Sequence, residues 1–179
     1  MDHRTVIDFW FRDTKPRRWF TGDTAFDRLI LTRFQALHAA AARGELWAWR
    51  SDPEGRLAEI IVLDQFSRNL YRDTPPAFAQ DAIALVLAQE AIACGADRDF
   101  DAPRKAFLYM PFMHSESPVI HERAVELFRA PGLEHNLDYE LRHRAIIQRF
   151  GRYPHRNAIL GRASTPEELA FLAEPGSSF

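Results

Sequence analysis

Apolar residues recur at helical spacing in one segment of this chain after another. Val6, Phe9 and Trp10 follow each other at i, i+3 and i+4, which predicts a first helix. A longer stripe predicts a second helix, beginning near Asp23 or Thr24 and ending at Gly44. Its members are Phe26, Ile30, Phe34, Leu37 and Ala41.

The segment after Asp52 predicts a helix at the centre of the fold. Asp52 can cap free amides, and Pro53 suits the first helical position. The run Ile60–Leu63 is apolar on every side, which is typical of a fully buried helix. Asp64 falls on its apolar face, so we expect a buried carboxylate with Arg68 within reach, one turn later.

Proline-marked turns delimit the later helices. Thr74-Pro75-Pro76 predicts a helix start, with an apolar stripe that runs to Gly95. The stripe consists of Ile83, Val86, Leu87 and Ala91. The next helix, from about Pro103, should break or kink at Pro111 because proline cannot donate to the preceding turn.

Three further helices complete the chain. Ser117-Pro118 opens one, and the segment from Leu133 or Glu134 to Phe150 forms the next, ended by Gly151. In that helix we expect a buried stripe of Leu137, Leu141 and Ala145, with Ile146 and Phe150 beside it. Ser164–Glu168 reads as a capping box that opens the last helix, and GSSF as a tail. No run alternates with the period of a strand, so the prediction is an all-α, single domain spanning residues 1–179, with about eight or more helices.

Composition narrows the class of protein. Of the 179 residues, 46% are hydrophobic and 27% charged, the balance of a soluble globular protein. Cys94 is the single cysteine, which excludes an internal disulfide. We see no secretory signal and no membrane-spanning run, and expect a cytoplasmic protein. A formal net charge of −2 makes nucleic acid an unlikely partner.

Charge is segregated in the stretch from Arg142 to Arg162. It holds six arginines and two histidines and no carboxylate. Arginine forks bind phosphate or carboxylate in a bidentate manner, which favours an anion site. The alternative is that the arginines pair with acids from elsewhere in the chain. The acids considered are Asp64, Asp81, Glu90 and Glu116.

A second polar group lies between Pro111 and Pro118. His114, Ser115 and Glu116, followed by His121, are residue types that bind metals or form nucleophile–base pairs. Their spacing matches no recognised motif, so we predict neither a metal ion nor a cofactor. The simpler interpretation is that His114 bonds a backbone carbonyl while Glu116 and Ser117 cap the next helix.

Several word-like segments resemble the bacterial family of unknown function numbered 924. They are VIDFWF, LDQFSRNLYR, AFAQD, FLYMPFMHSE, the stretch from Arg142 to Arg162, STPEE and PGSSF. The resemblance implies a tetratricopeptide-like fold in which antiparallel helix pairs stack into an array. It transfers no activity. At the position of His121 similar proteins often carry glutamine, which argues against a metal ligand there.

The polar character of these segments leads to a hypothesis of one pocket with three walls. The walls would be the central helix, the His114 turn and the arginine stretch. Candidate catalytic residues are Asp64, His114, Glu116 and His155. Candidate ligand-binding residues are Arg68, Asn69, Arg142, His143, Arg149, Arg152, Arg156 and Asn157. The pocket would bind an anionic, phosphorylated or carboxylate small molecule. Two other functions stay open: a scaffold for an acidic peptide, and a hydrolase that uses His114 or His155 with Asp64.

Overall fold

The computed structural model describes residues 1–177, and within them the chain is helical, without strands. The α-helices are α1 (His3–Ile7), α2 (Thr24–Ala42), α3 (Pro53–Ile61), α4 (Ser67–Leu70), α5 (Asp81–Ala93), α6 (Ala102–Met113), α7 (Pro118–Phe128), α8 (Glu134–Phe150) and α9 (Pro166–Leu172). Two π-helical segments, Asp8–Asp13 and Val62–Phe66, extend α1 and join α3 to α4. Short 3₁₀ turns lie at Pro16–Arg18, Trp47–Ser51, Pro75–Phe78 and Pro154–Arg156. The all-α prediction is confirmed. No helix in this part of the chain is both long and apolar enough to cross a membrane.

The chain groups into two compact units. The first comprises Met1–Arg72 and Pro76–Pro111, and the second comprises Asp73–Pro75 and the chain from Phe112 onward. The expectation of one domain over residues 1–179 stays a prediction, as does the stacking of helices in a tetratricopeptide-like array.

The first unit is built around the predicted central helix. The Asp52 carboxylate accepts from the amide of Gly55 at 3.1 Å, and Pro53 occupies the first helical position. All four side chains of Ile60–Leu63 are 0% exposed. Aromatic rings of the Asp8–Asp13 segment and of α2 pack at the end of this helix: Trp10 lies 5.6 Å and Phe34 4.9 Å from the ring of Phe66. Burial of large apolar side chains in all directions accounts for the helix having no solvent-exposed side.

Two expectations for the first unit are wrong. The prolines after Thr74 form only a 3₁₀ turn, and α5 begins later, at Asp81. Ile83 and Val86 are 43% and 54% exposed. Alanines form the buried face of α5 instead, together with Leu87: Ala84, Ala88 and Ala91. An alanine face lets α5 approach α3 closely, and the predicted stripe could not reveal this because α5 is apolar nearly all round.

The helix α6 passes through Pro111, where an end or kink was expected. Proline at this position removes one backbone hydrogen bond. The flanking side chains Met110, Phe112 and Met113 are at most 5% exposed. Their burial offsets the lost bond and carries the helix to Met113.

The second unit contains α7, α8 and α9, and the face that α8 buries differs from the predicted one. Leu141 is 44% exposed and Ala145 is also exposed. The buried residues are Glu140, His143, Ile146 and Ile147. The prediction was therefore wrong for Leu141 and Ala145 and right for Ile146, because Glu140 and His143, which have internal hydrogen-bond partners, take the other inward positions.

As expected, a glycine ends α8 and a capping box begins α9. Gly151 follows α8 with φ of 67°, a left-handed conformation that suits glycine. Thr165 and Glu168 form the reciprocal capping box of α9. Of the predicted tail GSSF, Ser178 and Phe179 lie outside the described residues.

Candidate functional site

In the first unit, Asp64 forms the pair expected from its spacing. Its side chain is 1% exposed, and Oδ1 lies 3.1 Å from Nη1 of Arg68. The Gln65 amide donates to Oδ2 at 2.5 Å. Arg68 also donates to Asp81, at 3.0 and 3.1 Å. Both carboxylate oxygens of Asp64 thus accept bonds within this unit, as burial of a charge requires.

The rest of this polar segment is held by residues that sequence reasoning missed. Ser67 donates to the carbonyl of Leu63 at 2.5 Å, so the His38 Nε2 at 2.7 Å must be the donor to Ser67 Oγ. Burial lowers the pKa of His38, so the ring stays neutral. Ser67 therefore has no base to take its proton and is not placed as a nucleophile. Asn69 donates to Asp27 at 2.8 Å. Only the polarity of Asp27 and His38 within α2 hinted at these roles.

In the second unit, Glu116 links the His114 turn to the arginine stretch. Its carboxylate accepts from Arg162 at 2.6 and 2.9 Å and from the Tyr153 amide at 2.7 Å. Burial acts to raise the pKa of Glu116, but the bonds from Arg162 and Tyr153 outweigh it, so the pKa lies below its ordinary value. Ser117 occupies the N-cap position of α7 as expected, although its side chain makes no cap bond. The expectation that Glu116 also caps this helix is wrong, since its carboxylate binds Arg162 instead.

Several arginines of the stretch pair with carboxylates of the second unit. Arg152 binds Glu168 through two bonds of 2.6 and 2.8 Å. The other three pairs are Arg144 with Glu122 at 2.6 Å, Arg149 with Glu167 at 3.0 Å, and Arg162 with Glu116. Arg142 is exposed, with its guanidinium 5.5 Å from the Tyr139 ring centroid. The alternative of internal neutralisation thus holds for most of the stretch, although Glu116 is the one expected acid among these partners.

Arg156 is buried against an aromatic ring. It is 7% exposed, and its guanidinium lies 4.6 Å from the centroid of the Tyr153 ring. Its Nη2 donates to the carbonyl of His114 at 3.1 Å. The neighbouring Asn157 is 0% exposed and accepts from Arg162 at 2.9 Å. The ring of His155 lies 5.4 Å from that of Tyr153. Tyr153 thus anchors a set of residues from both predicted segments.

The second unit also contains a group of buried polar side chains. Glu140 and His121 are both 0% exposed and meet at 2.7 Å. His143 donates from Nδ1 to the Tyr139 carbonyl at 2.7 Å, and burial lowers the pKa of His143 to about 3. Sequence reasoning missed Glu140 altogether, and placed His121 only as a possible metal ligand. Within residues 1–177 no group of three or more His, Cys, Asp or Glu side chains is arranged to hold a metal ion.

A known protein family matches nearly the whole chain. Residues 6–176 match the family described as "Bacterial protein of unknown function (DUF924)". The chain belongs to this family. The resemblance drawn from LDQFSRNLYR and the arginine stretch is therefore confirmed. A search of curated proteins gave no match.

A solved structure of a similar protein has the same fold. The chain is similar to a protein of unknown function from Agrobacterium tumefaciens, with 41% identity, a TM-score of 0.91 and 96% of each chain covered. Neither this neighbour nor the DUF924 family brings a substrate or activity to the chain.

A cleft of about 520 Å³ opens in the first unit of this DUF924 protein. Its lining comprises Asp13, Lys15, Arg17, Arg18, Thr21 and Asp23. None of the site residues predicted from sequence is among them. Arg18 and Asp23 pair across it at 2.8 Å. The cleft is open and polar, unlike the mostly apolar pockets that enclose small ligands.

The predicted residues therefore fall into two groups. In the first unit, Asp64 and Arg68 form one bonded set with Asp81, while Asn69 bonds Asp27. In the second unit, the His114–Glu116 turn is bonded to the segment Tyr153–Arg162. The three-walled pocket stays a prediction.

Proposed function

We propose that the second unit binds an anionic small molecule, phosphorylated or carboxylate, where the half-buried His114–Glu116 turn meets His155 and Arg156. The observation that carries the proposal is the fixed position of Arg156. Its guanidinium is stacked on Tyr153 and bonded to the His114 carbonyl. An arginine that is already immobilised loses little side-chain entropy when it captures an anion.

Three other arginines of the stretch are paired with carboxylates. Arg149, Arg152 and Arg162 each have a carboxylate within 3.0 Å. Such pairs are close to neutral, so we assign them the role of holding the segment in shape. The half-buried rings of His114 and His155 supply polar groups beside Arg156.

Thermal-shift and calorimetric titrations test the proposal. The probes are inorganic phosphate, phosphorylated sugars and dicarboxylic acids, with a polyglutamate peptide for the acidic-peptide alternative. We expect a small anion to stabilise the wild type and to bind at least about tenfold more weakly to Arg156→Lys, which keeps the charge but loses the planar fork.

Arg149→Ala is the matched control, because it removes an arginine of the same stretch from an exposed pair. We expect its affinity to equal that of the wild type. Binding unchanged in Arg156→Lys, or no stabilisation by any small anion, contradicts the proposal. Stabilisation by the peptide alone points to the scaffold function.

The hydrolase remains the second candidate, because two half-buried imidazoles, His114 and His155, lie within the second unit. A phosphatase and esterase screen of the wild type and of His114→Ala tests it. Turnover that His114→Ala abolishes without loss of anion binding would replace the binding function by catalysis.

A further inference from the structure

The side chains of His121 on α7 and Glu140 on α8 form a pair wholly inside the second unit. Both are 0% exposed, and Nδ1 of His121 lies 2.7 Å from Oε1 of Glu140. A contact this short between two buried titratable groups requires a proton between them, because two lone pairs would repel each other.

The other ring nitrogen fixes the tautomer. Nε2 of His121 lies 2.8 Å from the carbonyl oxygen of Ser115, which can only accept, so Nε2 carries a hydrogen. The Tyr153 hydroxyl donates to the carbonyl of Met113 at 2.5 Å. It therefore presents lone pairs to Nε2, which lies 3.2 Å away.

The ring therefore already carries one hydrogen, on Nε2, and the proton between Nδ1 and Oε1 is an additional one. It makes either a neutral acid facing a neutral imidazole or a carboxylate facing an imidazolium, and both forms have zero net charge. Oε2 of Glu140 is buried and has no hydrogen-bond partner within residues 1–177. An ionised carboxylate would leave charge on that oxygen, which favours the neutral acid. Burial also raises the pKa of Glu140, although His121 and Arg144 act to lower it.

Other charged and titratable groups face the pair from each neighbouring element. Arg144 lies on α8 and pairs with Glu122 of α7. The ring of His143, also on α8, is kept neutral by burial. Tyr153 approaches from the segment after α8, and Ser115 from the turn before α7. The network therefore joins the pair to both turns of the proposed site.

We propose that His121 and Glu140 form a one-proton switch that regulates the anion site, an inference that rests on the proposed function. While the proton is present, His121 holds the Ser115 carbonyl and contacts Tyr153, on which Arg156 is stacked. Loss of the proton leaves the ring with a single hydrogen, and the ionised carboxylate draws it to Nδ1 through a change of tautomer. Nε2 then presents a lone pair to the Ser115 carbonyl, so this bond is lost and the contact between the two turns weakens. Because the folded-state pKa is raised, the stabilisation is present at low pH and is lost as the pH rises through that pKa.

Glu140→Gln tests the switch, since its amide can donate permanently to Nδ1 and so imitates the protonated acid. The first measurement is urea unfolding of wild type and variant from about pH 4, just below the ordinary pKa of glutamate, to about pH 9. We expect the wild type to lose stability relative to the variant as the pH rises. Glu126→Gln, an exposed acid on α7 paired with Arg123, is the control and should follow the wild type. Parallel curves for wild type and Glu140→Gln overturn the proposal.

The second measurement is the affinity for sulfate, whose charge does not change in this range. We expect the wild-type Kd to rise at least about tenfold with pH, and the Kd of Glu140→Gln to stay within about twofold. If sulfate does not bind at any pH but the wild type and Glu140→Gln still differ in the pH dependence of their stability, the anion site is rejected. The shared proton of His121 and Glu140 is then retained. If Glu140→Gln does not fold, nitrogen NMR of the wild-type His121 ring decides: an Nδ1 that stays hydrogen-bonded at pH 7 supports the switch, and free titration overturns it.

Discussion

Single side chains of this protein often serve two partners at once, and Glu168 shows the consequence. It is 2% exposed, binds Arg152 through both oxygens and accepts from the amide of Thr165. The hydrogen bonds from Arg152 make the largest contribution and the bond from the Thr165 amide the next largest. Together they lower the pKa of Glu168 to about 2. The carboxylate thus stays charged in the folded protein at pH values where an ordinary glutamate is neutral.

We expect this to appear as acid sensitivity. A depressed folded-state pKa contributes stability above about pH 4.5, which is lost as the pH falls towards about 2. Glu168→Gln should therefore be less stable than the wild type at neutral pH and show a flatter acid decline. Glu167→Gln, with its exposed side chain, is the matched control and should resemble the wild type. Equal acid slopes for Glu168→Gln and the wild type in urea unfolding would contradict the assignment.

His143 predicts a second, separate pH effect. Its pKa falls from 6.5 to about 3 because burial disfavours the charged ring. The unfolded chain then binds a proton that the folded chain does not, so stability decreases as the pH falls from about 6.5 to about 3, by up to about 1.4 kcal/mol per pH unit. His143→Gln should remove this slope. His135→Gln, exposed on the same helix, should keep it, and loss of the slope in His135→Gln would refute the interpretation.

At the scale of elements, helix starts and stops were the most predictable features. Asp23 and Asp52 cap helices as expected, because a capping bond involves only neighbouring residues. The buried faces were harder to predict. In α8 the inward position of Glu140 depends on His121, 19 residues away, and no local pattern encodes that partner. Likewise, Pro111 stays within α6 through tertiary burial of its neighbours.

Close packing at the start of α3 gives a prediction for this element. A Cβ added to Gly55 would lie 2.1 Å from the carbonyl oxygen of Trp49. Gly→Ala within a helix ordinarily stabilises, but this contact forces the backbone apart, so Gly55→Ala should cost about 1–3 kcal/mol. Gly22→Ala is the control, since nothing lies within 4 Å of its added Cβ. Chemical denaturation of both variants checks this, and a Gly55→Ala protein as stable as the wild type would disprove the close contact.

At the scale of the whole molecule, fold class and family could be predicted, whereas the site could be predicted only in part. Helical periodicity identified the fold class, and polar sequence segments such as LDQFSRNLYR identified the family. The segregated charge indicated that the arginine stretch has a common structural role, and its arginines do form ion pairs within the second unit. Its partners Glu122, Glu167 and Glu168 could not be identified, because pairing between separate helices depends on how they pack.

This internal pairing predicts that the protein does not bind duplex DNA despite its arginines. The formal net charge is −2, and non-specific binding needs several cations free to displace counterions from phosphates. In fluorescence anisotropy we expect no saturation by labelled duplex below about 10⁻⁴ M at physiological salt. The double variant Glu122→Gln, Glu167→Gln frees Arg144 and Arg149 and should gain weak, salt-sensitive binding. Wild-type binding that falls steeply with salt would show instead that the arginines are available to phosphate, and that the pairs with Glu122 and Glu167 do not hold in solution.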